Sequence, residues 1–129
     1  MKTKLYPNGR RIIGVFEPEL NMRGEIFTRC TNPTWSILNY IINICDLEIN
    51  STFTGVANCN NEEVYDEKYG KGLAEQKAML KYHKSMSKKY KKMIDVLRKA
   101  LDEAAELEVR HYRKARNIEE DYKKYYLGE

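Results

Sequence analysis

The sequence predicts an α+β protein, in which an N-terminal antiparallel β-sheet of three to four strands is followed by two long C-terminal α-helices that mediate oligomerisation. Three observations lead there. The chain changes character near Asn60: all three prolines and nearly all of the β-branched, Asn and Thr residues lie upstream. Residues 73–127 contain neither Gly nor Pro and are dominated by Lys, Glu, Ala, Leu and Tyr. Residues 53–59 alternate between a small apolar set (Phe53, Gly55, Ala57, Cys59) and a largely polar one (Thr54, Val56, Asn58), the period of a strand. From Tyr90 onward apolar residues step by four and three, the period of a coiled-coil seam.

Taken in order, Tyr6-Pro7-Asn8-Gly9 carries a turn signature, because Pro fixes the second turn position and Gly accepts positive φ. Residues 11–16 form a short apolar run fit for a strand that Pro18 ends. Asn21 to Gly24 turns the chain into a second short strand over 25–29. The segment 33–45 places Trp35, Leu38, Ile41, Ile42 and Cys45 at helical spacing, with Ser36, Asn39 and Asn43 opposite. Asn32 would cap that helix and Pro33 would sit in its first turn. Its isoleucines support a strand as the rival reading; the spacing favours a short helix. A hairpin follows, with strands 44–49 and 52–59 around Asn50-Ser51, where Gly55 marks a bulge or a close backbone approach.

Residues 60–64 read as a polar loop, and Asp66 as the cap of a helix opening at Glu67. Met79, His83 and Met86 begin its apolar rhythm. The seam then runs Tyr90, Ile94, Leu97, Leu101, Ala104, Ala115, Ile118, Tyr122, Tyr125, interrupted by Glu108 and His111. Met86 to Tyr90 to Ile94 are two fours in succession, a stutter that either unwinds a helix locally or breaks it. With the weak helix formers Ser85 and Ser87 there, a break between His83 and Lys89 is expected, giving two helices. So small a sheet cannot cover such a seam, and the simplest partner is a second copy, in a dimer or a higher even-numbered oligomer.

Size and composition narrow the function classes. At 129 residues the chain suits one domain, β-rich over 1–60 and helical over 61–129. Net charge is +4 and the pI about 8.9, so a nucleic-acid partner is permitted but not demanded. No apolar run is long enough to span a membrane, and the first residues lack the apolar stretch of a signal peptide. Cys30, Cys45 and Cys59, an odd number without a C-x-x-C pair, read as free thiols in a reducing, cytoplasmic compartment. With only His83 and His111 far downstream, no metal set and no cofactor are expected.

Three charged constellations stand out. Lys81, Lys84, Lys88, Lys89, Lys91 and Lys92 form a basic block, either a phosphate-contacting helix or, more simply, a solvated face. Asp102, Glu103, Glu106 and Glu108 form an acidic block that could pair with the basic block of another subunit. Arg110, Arg113 and Arg116 are neighbours at three-residue spacing, with Arg98 on the same helix. Guanidinium forks match phosphate and carboxylate alike, so they bind a phosphate or make intersubunit ion pairs with Glu103, Glu106 or Glu119. No G-x-S-x-G, H-E-x-x-H or phosphate-loop pattern occurs; Tyr69-Gly70-Lys71-Gly72 lacks both ends of one. An enzyme is not expected.

The stretch Gly55-Val56-Ala57-x-Cys59, followed by acidic residues and then Tyr65-Asp66-Glu67-x-x-Gly70-x-x-Leu73-Ala74-x-x-Lys77-Ala78, resembles the phage anti-Thoeris family. The resemblance covers about a quarter of the chain and rests on packing positions, so no family ligand residue is carried over. It implies an N-terminal sheet, helices that build oligomers, and a phage immune-evasion role in the host cytoplasm. A cyclic ADP-ribose-type signalling nucleotide would be sequestered there without degradation, as by a sponge. Such a ligand carries a pyrophosphate and an adenine. Arg98, Arg110 and Arg113 are the candidates for the first, and Phe16, at the end of the first apolar run, for the second. The alternative is a small basic protein that binds nucleic acid or inhibits a host factor.

Overall fold

A computed structural model of the chain describes residues 2–8, 11–48, 51–58 and 67–128. The architecture is α+β, in the order β1 (Lys2–Asn8), β2 (Arg11–Glu17), α1 (Met22–Arg29), α2 (Asn32–Cys45), β3 (Phe53–Asn58) and α3 (Glu67–Tyr126). The N-terminal antiparallel sheet followed by C-terminal helix thus stands as expected. The chain divides into two compact units, Met1–Met93 and Ile94–Glu129. The packing boundary therefore falls inside α3, well past the change of composition near Asn60.

In the first unit the sheet has the order β1-β2-β3, with β2 in the centre. β1 continues through Tyr6 and Pro7 to Asn8, which pairs with Arg11, so Tyr6 and Pro7 belong to a strand and not to a turn; Gly9 lies outside the described residues. Pro7 is tolerated because β1 is an edge strand, where a missing N–H leaves no central ladder unsatisfied. β3 pairs with β2 through Ile12↔Ala57, Gly14↔Gly55 and Phe16↔Phe53. These three pairs form the buried face, while Thr54 and Asn58 are exposed. The expected hairpin of 44–49 with 52–59 is not made. Ile44 and Cys45 finish α2, and Asp46 turns the chain out of it in the left-handed conformation, φ 51°. The partner of β3 is the distant β2, whose Gly and Phe positions match its own.

α1 replaces the short strand expected over 25–29. The Asn21 side chain accepts a hydrogen bond from the Gly24 N–H at 2.8 Å, and this N-cap outweighs the β-propensity of Ile26, Phe27 and Thr28. α2 is the helix favoured over 33–45. Its N-cap is Thr31 rather than Asn32, with Pro33 in the first turn. Arg23 ties the two helices together, donating to the side-chain amide oxygens of Asn39 (2.9 Å) and Asn43 (2.5 Å) and pairing with Glu48 at 3.1 Å. Met22, Ile26, Ile41, Ile42 and Leu47 complete the core on this side.

α3 is one helix, without the break expected between His83 and Lys89. Ser85 and Ser87 each cost a helix only about 0.5 kcal/mol, which tertiary packing readily outweighs. Its buried residues are Ala74, Ala78, Tyr82 and Met86, a ridge of fours, and Met93, two turns further on. Met79 is half-buried and His83 exposed, so there the buried face sits one residue before the expected one, while Met86 is buried as expected. Gly14 and Gly55 let this ridge approach. A Cβ on Gly14 would lie 2.8 Å from the Ala74 carbonyl oxygen, and one on Gly55 would overlap the backbone of Ala74 and Ala78. Beyond that slot Tyr82 packs at a tilt against the Phe16 and Phe53 rings, at 5.0 and 5.4 Å between centroids.

The second unit is the helical stretch 94–126 and the residues after it. Val96 and Leu97 are half-buried, and every other described residue is exposed. The stutter at Met86–Tyr90–Ile94 therefore marks where the i+4 ridge that packs on the sheet hands over to a 3.5-residue seam that is exposed from Leu101 onward.

Candidate functional site

The residues suited to an anion lie on α3. Arg110 and Arg113, with Asp102, Ala105, Glu106 and Val109, line an open concavity along one face of the second unit. Arg98 belongs to the same stripe, four residues before Asp102. All three guanidiniums are exposed, and among the described residues no intrachain ion pair neutralises them. Arg116, the fourth of the series, pairs with Glu120 at 3.4 Å. The concavity is mixed in sign: Asp102 and Glu106 stand between Arg98 and the arginine pair. An incoming phosphate would meet carboxylates as well as forks.

Phe16 does not join them. It belongs to the first unit and is 0% exposed, its ring covered by Tyr82. It touches a cleft of about 180 Å³ lined also by Pro18, Glu19, Leu20, Glu25, Arg29 and Tyr82. That is below the roughly 300 Å³ at which small-molecule pockets begin. The assignment of Phe16 as a platform for a base is therefore corrected: it is a core residue, the aromatic end of the face that receives α3. Exposed Tyr112 adjoins Arg113 in the sequence, and sequence reasoning passed over it because it falls off the seam.

The lysine block lies in the first unit. Between Gln76 and Ile94 there are seven lysines and no acidic residue. Lys84, Lys88, Lys91 and Lys92 share the exposed side of α3, opposite buried Met86 and Met93. Lys77 is committed elsewhere, donating to the Val56 carbonyl at 3.0 Å. Tyr90 is turned inward and donates to Glu25 at 2.9 Å. Burial raises its phenol above the ordinary tyrosine range, and the Glu25 carboxylate adds to the rise. Burial also raises that of Tyr82, again with a contribution from the Glu25 charge.

Tyr69, Gly70, Lys71 and Gly72 lie within helix α3 and form no phosphate loop; Gly70 makes room for Ile12. Among the described residues no group of three or more His, Cys, Asp or Glu side chains could hold a metal ion, and Cys30 and Cys45 are free thiols. Cys59, the 60–64 loop and the cap Asp66 lie outside the described residues. Among the described residues no helix is long and apolar enough to cross a membrane. One surface was not foreseen. Ile37, Tyr40 and Ile44 form an exposed apolar stripe on α2, and Phe27, edge-on to Trp35 at 5.5 Å, adds to the apolar surface of α1 and α2. The same i, i+3, i+7 spacing is visible in the sequence, but Trp35, Leu38, Ile41 and Ile42 compete for the inward face.

The chain matches no protein-family model, and comparison with curated proteins and with solved structures gives no match either.

Proposed function

We propose that this protein is a self-associating binding protein that holds a phosphate-bearing ligand without chemical turnover. The observation that carries the reading is the seam from Ile94 to Tyr125: apart from Glu108 and His111 its residues are apolar at coiled-coil spacing, and all are exposed or only half-buried in the single chain. Self-association into a dimer or a higher even-numbered oligomer covers it. The ligand side of the proposal is supported by Arg98, Arg110 and Arg113, exposed and without ion-pair partners among the described residues. In the form that the anti-Thoeris resemblance implies, the ligand is a cyclic ADP-ribose-type signalling nucleotide, and the protein serves immune evasion by sequestering it. Tyr112 then takes the aromatic role that Phe16 cannot fill. Heating the purified protein and analysing released small molecules by mass spectrometry tests this directly. The expected product is an unmodified cyclic nucleotide. No heat on calorimetric titration with cyclic ADP-ribose isomers at several temperatures sinks this form of the proposal, and recovery of a hydrolysed product makes the protein an enzyme.

A second reading is favoured by a separate observation, the acid-free lysine face of α3. A linear array of Lys84, Lys88, Lys91 and Lys92 suits a polyanion such as duplex DNA or RNA better than a single pyrophosphate. Its signature is an affinity that falls steeply with salt. Replacing those four lysines with Gln is expected to lower the salt slope by about 0.9 for each phosphate that is no longer neutralised. An unchanged slope leaves the lysines as a solvated face.

A further inference from the structure

Self-association of the second unit, as proposed above, leaves open how two helices lie, and the polar residues of the seam decide it. Ile94, Leu101, Glu108, Ala115 and Tyr122 occupy one core position of the heptad, and Leu97, Ala104, His111, Ile118 and Tyr125 the other. Neither Glu108 nor His111 has a partner among the described residues, and both are exposed. In a parallel, in-register pair each core residue meets its own copy. Glu108 would face the partner's Glu108, burying like charges against each other, and His111 would face the partner's His111 with no carboxylate in its layer.

An antiparallel pair joins the two kinds of core position instead. With the two-fold axis midway between residues 108 and 111, Glu108 faces the partner's His111. The same register places Ala104 against the partner's Ala115, Leu101 against the partner's Ile118, Leu97 against the partner's Tyr122 and Ile94 against the partner's Tyr125. Small meets small beside the charged layer, and large meets large outside it. On the flank, Arg98 comes beside the partner's Glu119. That carboxylate already holds Lys123 at 3.4 Å and has acceptor capacity for both. Sliding the register by one heptad sets Glu108 against the partner's Ile118 or Ala104, an unpaired carboxylate against an apolar side chain. Only one register both pairs the two polar residues and matches the apolar ones by size.

We infer that the second unit assembles with a second copy of itself as an antiparallel two-helix coiled coil, locked in register by two symmetric Glu108–His111 pairs at its centre. Covered this way are exposed Leu101 and Ile118 (68% each) and Tyr125 (72%). Arg110 and Arg113 fall on the outer side of such a pair, away from the seam, where a ligand can still reach them, whereas Arg98 is engaged by the partner's Glu119 and leaves the ligand set.

Charge reversal tests the register. Light scattering of the wild-type chain under reducing conditions first reports whether it self-associates; a monomer at micromolar concentration removes the underlying reading itself. Given a dimer or higher oligomer, His111→Glu should raise the dissociation constant by about tenfold or more, because carboxylates then face carboxylates in both central layers. The double variant Glu108→Lys, His111→Glu should restore wild-type association, since the new lysine of each chain then faces the new glutamate of the other. A parallel pair would not recover, having Lys against Lys and Glu against Glu. An independent readout uses disulfides in a chain whose Cys30, Cys45 and Cys59 are replaced by Ser, with Trp35 fluorescence confirming the fold. A mixture of Ala104→Cys and Ala115→Cys chains should cross-link, and Ala104→Cys alone should not. Self-cross-linking of Ala104→Cys, or no rescue by the double variant, overturns the antiparallel arrangement while leaving self-association standing.

Discussion

Gly14 and Gly55 face each other across β2 and β3 directly beneath the Ala74–Ala78 ridge of α3. Replacing Gly55 with Ala adds one methyl group where the nearest atoms are helix backbone, which cannot rotate aside as a flexible side chain could. Relieving the overlap requires α3 to lift from the sheet by about an ångström, loosening the packing of Ala74, Ala78 and Tyr82 together. Overpacking of this kind costs about 1–3 kcal/mol, against a gain of about 0.4–1 kcal/mol because Ala restricts the unfolded chain. A net loss of about 1–2 kcal/mol is expected, or a fall in melting temperature of about 4–8 °C per kcal/mol for a unit of this size. The single tryptophan, Trp35, lies in this unit against Phe27, so its fluorescence in urea reports the relevant transition, compared at one protein concentration. Gly72→Ala is the internal control. Nothing lies within 4 Å of its Cβ, and a helical Gly→Ala change should stabilise by about 1 kcal/mol. If Gly55→Ala proves as stable as the wild type, the slot between sheet and helix does not govern the packing of α3.

Other outcomes follow from the same structure. Raised by burial and by Glu25, the Tyr90 phenol favours the folded state while it remains protonated. That stabilisation is complete below the unfolded-state value near 10 and is lost as pH rises beyond it, so Tyr90→Phe should show a shallower alkaline loss of stability in urea melts at about pH 8 to 11. The same variant gives up one hydrogen bond to a carboxylate, about 1.5–3 kcal/mol at neutral pH; equal slopes for both proteins would refute the linkage. Leu97→Asp with Leu101→Asp should shift the light-scattering mass to a monomer, each buried charge costing several kcal/mol on the order of magnitude, while Trp35 fluorescence stays native. Loss of the native Trp35 signal would mean that the seam supports the first unit instead. Arg113→Ala should weaken a nucleotide ligand by about tenfold or more, from roughly 1.5–3 kcal/mol per charged hydrogen bond, and leave the oligomer intact. An unchanged affinity removes Arg113 from the site.

What was legible in the sequence was what depends on short-range pattern. Alternation in 53–58 placed β3 and its buried face, Pro33 and the spacing after it placed α2, and the absence of Gly and Pro beyond residue 73 made α3 helical. The 4–3 rhythm from Tyr90 is likewise a property of the sequence alone. Only the tertiary structure decided what those patterns pack against. β3 was given to its sequence neighbour 44–49, yet it pairs with β2, because the matching Gly and Phe positions lie some forty residues apart and local rules do not see them. Residues 25–29 have strand composition, but the Asn21 cap and the burial of Met22 and Ile26 on one face favour a helix there. Phe16 looked available at a strand end until Tyr82, from a helix far along the chain, covered it. The arginines remain where helical spacing put them, because an exposed helix needs no tertiary contact to arrange its own surface. A continuous α3 carries the same physics: residues around Ser85 are weak helix formers by themselves, and Tyr82, Met86 and Met93 hold them helical by burying their side chains in the first unit.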